Sequence, residues 1–178
     1  ACYGHGGPAT ITDCNLILGR IQSSNFPKIF GKSGKEKLSI RDSIDAIKKI
    51  ANKIYKNTNR HISIYELAEG SLKIATENMS NAIKQISVER GHDIKNHILV
   101  GYGAAAGQHL CDVAESLNIK KITLHEFAGV LSAYGMGLAE FNTLKSKTVE
   151  LDYKNSYAKV IPIFKKLQIQ AIKDIKKK

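Results

Sequence analysis

Gly101-Tyr102-Gly103-Ala104-Ala105-Ala106-Gly107-Gln108-His109 is the stretch on which the fold turns. It joins the β-branched, apolar run His97-Ile98-Leu99-Val100, which reads as a buried strand, to a segment in which Leu110, Val113, Ala114 and Leu117 recur at helical spacing. Strand, small-residue turn and helix together make an α/β unit. Such a turn leaves the first helical N–H groups unpaired, and with the helix dipole behind them they suit a phosphate or ribose oxygen. Glycine there serves equally to bend the chain, so the turn alone specifies a backbone shape rather than a ligand.

Downstream, Lys121 to His125 reads as a second strand in which Ile122 and Leu124 alternate with polar neighbours. Gly129 to Glu140 follows as a helix of small residues, with Gly135 and Gly137 leaving room for a close neighbour. Thr148 to Leu151 reads as a further short strand. A C-terminal helix carries one apolar stripe, Val160, Phe164, Leu167, Ala171 and Ile175, with Pro162 tolerable only near its first turn. Upstream, Ser39 with Asp42 and Ser63 with Glu66 are capping boxes. The first opens a helix through Tyr55; the second opens a long one, with Leu67, Leu72, Ala75, Met79, Ala82 and Ile86 on its apolar face, ended by Gly91. Thr12-Asp13 reads as the cap of a short helix over Cys14 to Leu18, stopped by Gly19. The expected layout is α/β, with two or three strands among four or five helices. It divides into a glycine-rich loop region (1–34), a helical insertion (35–92), an α/β part (93–153) and a C-terminal helix (154–178).

With 178 residues the chain is sized for a single lobe or partial domain. Its formal net charge of +11 raises the question of nucleic acid, but the lysines are scattered and neither an aromatic strand motif nor a paired-cysteine finger accompanies them. The densest group, Lys176-Lys177-Lys178, complements the carbonyl end of the last helix. No nucleic-acid partner is expected. Nor is a membrane one, since no apolar run approaches the roughly 20 residues that cross a bilayer. Cys2, Cys14 and Cys111 form no C-x-x-C pair, which predicts reduced thiols in a cytoplasmic protein, Cys111 being a small buried hydrophobe. Cys2, His5, Asp13 and His109 follow no metal-ligand spacing, so no metal site is assigned. The chain opens inside a glycine-rich loop without an initiator methionine and is expected to be part of something longer.

Three segments together resemble the hydantoinase A/oxoprolinase family of ATP-dependent cyclic amide hydrolases, relatives of acetone carboxylase subunits. They are Ala1-Cys2-Tyr3-Gly4-His5-Gly6-Gly7-Pro8 with Thr12-Asp13-Cys14-Asn15-Leu16-Ile17-Leu18-Gly19-Arg20, the Gly101 to His109 turn, and Gly129-Val130-Leu131-Ser132-Ala133-Tyr134-Gly135-Met136-Gly137-Leu138-Ala139-Glu140. The resemblance implies an actin/sugar-kinase-like (ribonuclease H-like) ATPase domain of which the later part is present, its early phosphate-binding segments and N-terminal lobe lying upstream. It implies ATP and Mg²⁺ as cofactors and a cyclic amide as substrate, 5-oxoproline opened to glutamate or a hydantoin to an N-carbamoyl amino acid. It also implies a hydantoinase B-like subunit or region as partner, so that this piece alone is inactive. Self-association into a homo-oligomer is expected where apolar surface is left bare.

Carried over residue by residue, the resemblance gives catalytic work to Asp13, Asn15 and His5. Nucleotide contacts fall to Gly103, Gly107, Gln108 and His109, and Tyr3, Gly4, Gly6 and Gly7 form a loop on the substrate side. From its own neighbourhood Asp13 reads equally as a helix cap, and His109 as a solvated or capping histidine. Tyr134 and Ser132 read as packing residues. The pattern departs from the family at Ala104 and Ala106, where glycine is usual, and at His5, where arginine is. Alanine at a positive-φ position costs about 1 kcal/mol or more. The departures keep open a second reading, a degenerate, non-catalytic homologue serving as an assembly lobe.

Overall fold

The computed structural model describes residues 1–152, 154 and 156–176. It divides into two compact units, Ala1–Leu131 and Ser132–Lys178. The first holds α1 (Ile11–Ile17), α2 (Ile40–Thr58), α3 (Ile64–Glu89), β1 (Leu99–Gly101), α4 (Leu110–Ser116) and β2 (Ile122–Leu124). The second holds nearly all of α5 (Leu131–Leu138), and α6 (Tyr157–Ile175).

Two long helices start where Ser39 and Ser63 cap them. Ser39 Oγ accepts from the Asp42 N–H at 3.2 Å, and the Ser63–Glu66 pair exchanges two such bonds, at 2.9 and 3.1 Å. α3 has 26 residues, about 39 Å at ~1.5 Å per residue, and serves two cores. Its first half, through Ala68 and Leu72, packs with Cys14 of α1 and Ile47 of α2. Its second half, through Met79 and Ile83, packs on the cluster of Val113 and Ala114 of α4 with Leu117 just after it, against which Leu99 of β1 also packs. A third cluster, Cys2, Leu16, Ile21 and Leu38, seats the N-terminal loop on α1. β1 and β2 pair in parallel, Leu99 with Ile122 and Gly101 with Leu124, so α4 is the crossover of a short β-α-β unit.

Several expectations change. There are six α-helices among the described residues, not four or five, because the short α1 and α5 both form. α1 begins at Ile11 with Thr10 as its cap, so Asp13 is the third helical residue rather than the cap itself. Ile98 and Val100 are exposed, since the sheet has two strands and no second layer among these residues covers that face. Thr148–Leu151 forms no strand. Cys111 is exposed, on the outer face of α4. Tyr134 is exposed too, and a side chain at Gly135 or Gly137 would meet nothing within 4 Å among the described residues. In the second unit α6 includes Pro162 and ends with Lys176 as its cap; Lys177 and Lys178 lie outside the described residues. Lys145 and Asp174 form an ion pair there. No described helix is long and apolar enough to cross a membrane.

The shared core makes a direct prediction. Leu72→Ala, deleting a side chain that is 3% exposed between three helices, is expected to cost about 3 kcal/mol in urea denaturation.

Candidate functional site

The N-terminal loop is tied down by its backbone. Ser39 N–H donates to the Cys2 carbonyl at 2.8 Å and Gly31 N–H to the Tyr3 carbonyl at 2.9 Å, while the Tyr3 and Phe30 rings lie 5.3 Å apart. Gly4 has φ +74°, and a β-carbon on it would stand 2.9 Å from the Gly31 Cα, so two backbones meet where no side chain fits. His5 is exposed at the tip of this loop. Gly6 and Gly7 border a small cleft with Asp42, Asp45 and Lys49 of α2.

Asp13 is wholly enclosed. Its Oδ1 accepts from the Cys2 N–H at 2.7 Å and the Ser43 hydroxyl at 2.6 Å; its Oδ2 accepts from the Thr10 N–H at 2.7 Å, the Thr10 hydroxyl at 2.8 Å and the Ala1 nitrogen at 2.9 Å. Burial alone would push the carboxyl's pKa up, but the donors from Ser43, Ala1 and Thr10 outweigh it and hold it well below the ordinary value. Both oxygens are spent on the protein. Beside it the Cys2 thiol is pushed up to about 11, first by burial and then by the Asp13 charge, and burial also raises Cys14, so neither is a nucleophile at neutral pH.

Three of the expected residues do come together. Asn15, fully enclosed on α1, donates from Nδ2 to Gln108 Oε1 at 2.8 Å across 93 positions of sequence, and His109 follows directly. A second link runs beside it, Arg20 Nη1 to Asp112 Oδ2 at 2.6 Å, so α1 and the residues just after it hold both the turn and α4. The turn itself is a 3₁₀ segment, Ala106–Gln108, whose geometry differs from a bare helix start. The N–H groups of Ala106, Gln108 and His109 donate to the carbonyls of Gly103, Ala105 and Ala106, which takes them away from any ligand. Gly103 has φ +93°, whereas Ala104 and Ala106 do not have positive φ. The strain that alanine would bring to a glycine-only conformation is therefore absent.

Under the turn lies a cleft of about 480 Å³, walled by Met79, Ile83, Tyr102, His109, Leu110 and Val113 among others, within the usual range for small-ligand sites. It is largely apolar. His109 Nδ1 is buried at its wall without a hydrogen-bond partner among the described residues. An apolar slot with an exposed tyrosine and one unsatisfied ring nitrogen suits a flat heteroaromatic group carrying a polar substituent. No group of three or more His, Cys, Asp or Glu among the described residues is arranged to hold a metal ion. His5, Tyr3 and the loop glycines do not line this cleft. Ser43, Arg20 and Asp112 were not singled out by the sequence, and only the helical register of Ser43 behind Ser39 hinted at the first. On the α3 wall, Met79 had signalled itself only as core, and Ile83 was not singled out.

A family profile described as hydantoinase/oxoprolinase matches residues 1–145. 5-Oxoprolinase 1 of Arabidopsis thaliana is 39% identical over 145 residues, covering 78% of this chain and 12% of that protein. The chain thus spans little more than a tenth of the length of such curated relatives. The crystal structure of an ATP-dependent caprolactamase from Pseudomonas jessenii superposes with a TM-score of 0.63 at 28% identity, over 98% of this chain and 24% of that one. A nucleotide-free acetone carboxylase superposes with a TM-score of 0.71 at 22% identity, over 98% and 25%; at that identity the likeness speaks to the fold.

Replacing the enclosed carboxylate should be costly. Asp13→Asn is expected to lose about 3 kcal/mol at pH 7, by leaving buried donors without a charged acceptor. Because the folded pKa lies below the ordinary one, Asp13's contribution is complete above about pH 4 and fades as pH falls. The gap between wild type and variant in urea titrations therefore narrows below about pH 4.

Proposed function

This chain belongs to the hydantoinase/oxoprolinase family, and we propose that it forms one wall of the ATP site in an enzyme that opens cyclic amides. The observation that carries this reading is the apolar cleft beneath the Gly101–His109 turn, with the unpartnered His109 Nδ1 at its wall. A purine occupies the slot between α3 and Tyr102, and a ribose hydroxyl or ring nitrogen satisfies His109. Gly103 gives the turn its shape, while Ala104 and Ala106 adopt it without a positive φ. The case for a degenerate assembly lobe loses its main support there.

When bound, ATP supplies a phosphoryl group, and transfer to an amide oxygen turns that oxygen into a leaving group. The residues of this chain then have three tasks. The cleft excludes water from the base. The Asn15–Gln108 and Arg20–Asp112 links hold the turn against α1. The loop from Tyr3 to Gly7 offers a glycine-rich backbone on the side we assign to the substrate, with His5 at its exposed tip. Asp13 acts by fixing that loop, since neither of its oxygens is open to a metal or a water. We assign Mg²⁺ to ligands elsewhere in the full-length protein, because the donor set here does not fit it.

We place the cleft in an actin/sugar-kinase-like domain whose upstream lobe closes over the nucleotide, in a cytoplasmic homo-oligomer working with a hydantoinase B-like subunit or region. 5-Oxoproline and hydantoin are the substrates to try. In the full-length protein, either one is expected to stimulate phosphate release from ATP. His109→Ala is expected to weaken ATP binding about tenfold, the equivalent of one lost hydrogen bond in a buried site. A well-folded protein whose ATP affinity is unchanged by that substitution, and whose hydrolysis neither cyclic amide stimulates, would remove the reading.

A further inference from the structure

A second cleft, of about 320 Å³, lies between α3 and α4, near the lower limit for small-ligand sites. Charge rings it. Glu69, Lys73 and Glu77 recur every four residues along α3, and Glu115 joins them from α4. Arg20 and Asp112 line it too, but they neutralise each other at 2.6 Å. The three glutamates and Lys73 are exposed and form no ion pair among the described residues. Three acids against one lysine leave an excess of two negative charges, on a chain whose formal net charge is +11.

The floor of the cleft is the second observation. Thr76 lines it at 8% exposure, and its hydroxyl makes no hydrogen bond among the described residues. Ser71 on the same helix donates to the carbonyl one turn back, the bond that a helical hydroxyl commonly makes; Thr76 does not. A hydroxyl enclosed to that degree calls for a partner inside the cleft. Leu72, 3% exposed and one turn before it, is the apolar part of the same floor. The acids are not grouped to share a metal ion. Glu69 and Glu77 are instead eight residues apart on α3, about 12 Å of helix. Negative charge spread over that length suits a cation spread likewise.

We propose that the α3–α4 cleft binds a linear aliphatic polyamine, a triamine with an ammonium group at each end. The end groups meet the glutamates, the methylenes lie over Leu72, and the inner N–H donates to the Thr76 hydroxyl. Bound so, the ligand bridges two helices that also wall the apolar cleft. Its binding does not depend on what the apolar cleft holds.

The test is calorimetric titration of the full-length protein with spermidine at about 0.15 M salt, where exposed charges are screened, with Mg²⁺ as the compact control cation. Wild type is expected to bind spermidine with a Kd below about 1 mM. Glu77→Gln and Glu115→Gln should each weaken binding about threefold and Lys73→Gln tighten it about threefold, the range of an exposed ion pair. Thr76→Val keeps the shape without the hydroxyl and should weaken binding about fivefold, the equivalent of one hydrogen bond. Glu126→Gln removes an exposed acid that does not line the cleft and should change nothing. The proposal is overturned if wild type binds no spermidine, or if Glu77→Gln and Thr76→Val bind it like wild type. It is equally overturned if Glu126→Gln loses as much as Glu77→Gln, since net charge then suffices, or if Mg²⁺ binds as tightly and is weakened by the same substitutions. Should Thr76→Val not fold, the glutamate and lysine variants decide.

Discussion

The Asp13 carboxylate is the interaction on which the rest of the first unit depends. Five donors from four residues converge on its two oxygens: the Ala1 nitrogen, the Cys2 amide, both donors of Thr10, and the hydroxyl of Ser43. These come from the N-terminal loop, the start of α1 and the face of α2. A buried carboxylate is stable only when it is so enclosed, and each donor fixes one segment relative to α1. The loop that bears His5 and the helix that bears Asn15 are thus held by one group.

From α1 the constraint passes to the turn. α1 is only seven residues long, too short to be stable alone, and it persists because Cys14 and Leu16 are buried on opposite sides of it. It reaches the Gly101–His109 segment through Asn15, and Arg20, just beyond its end, reaches α4. α3 reaches α1 with its first half and α4 with its second, where Leu99 of β1 packs on the same cluster. Polar links and a continuous apolar helix therefore position the same cleft wall twice. The redundancy explains how a two-stranded sheet, weak by itself, keeps a defined register.

The likeness to caprolactamase and acetone carboxylase runs over 98% of this chain but only about a quarter of theirs. The exposed faces of Ile98, Val100 and Leu124 are what a small sheet shows when nothing covers it among the described residues. Within that quarter this chain holds an apolar cleft, a turn tied to its own amides and a clamped N-terminal loop.

Local chemistry was legible in the sequence wherever the signal was local. The Ser63–Glu66 box, the Ser39 cap on α2, the helical stripes of α2 and α3 and the strand-turn-helix around Gly103 need only neighbours a few residues apart, and all of them formed, although the Ser39 N–H goes to the Cys2 carbonyl instead of to Asp42. The family motifs added which residues to watch. Sequence spacing did not disclose that Asp13 would be sealed by Ser43, that Asn15 would meet Gln108, or that the turn would bind its own amides, because these are pairings between distant segments or competitions among nearby donors that packing settles. Asp13 had two fair readings, cap and functional acid, and enclosure by five donors assigns its oxygens to the fold. Residue type and short-range periodicity determined the elements. Tertiary structure decided which polar groups were used up in holding them together and which, like His109 Nδ1, were left for something else to satisfy.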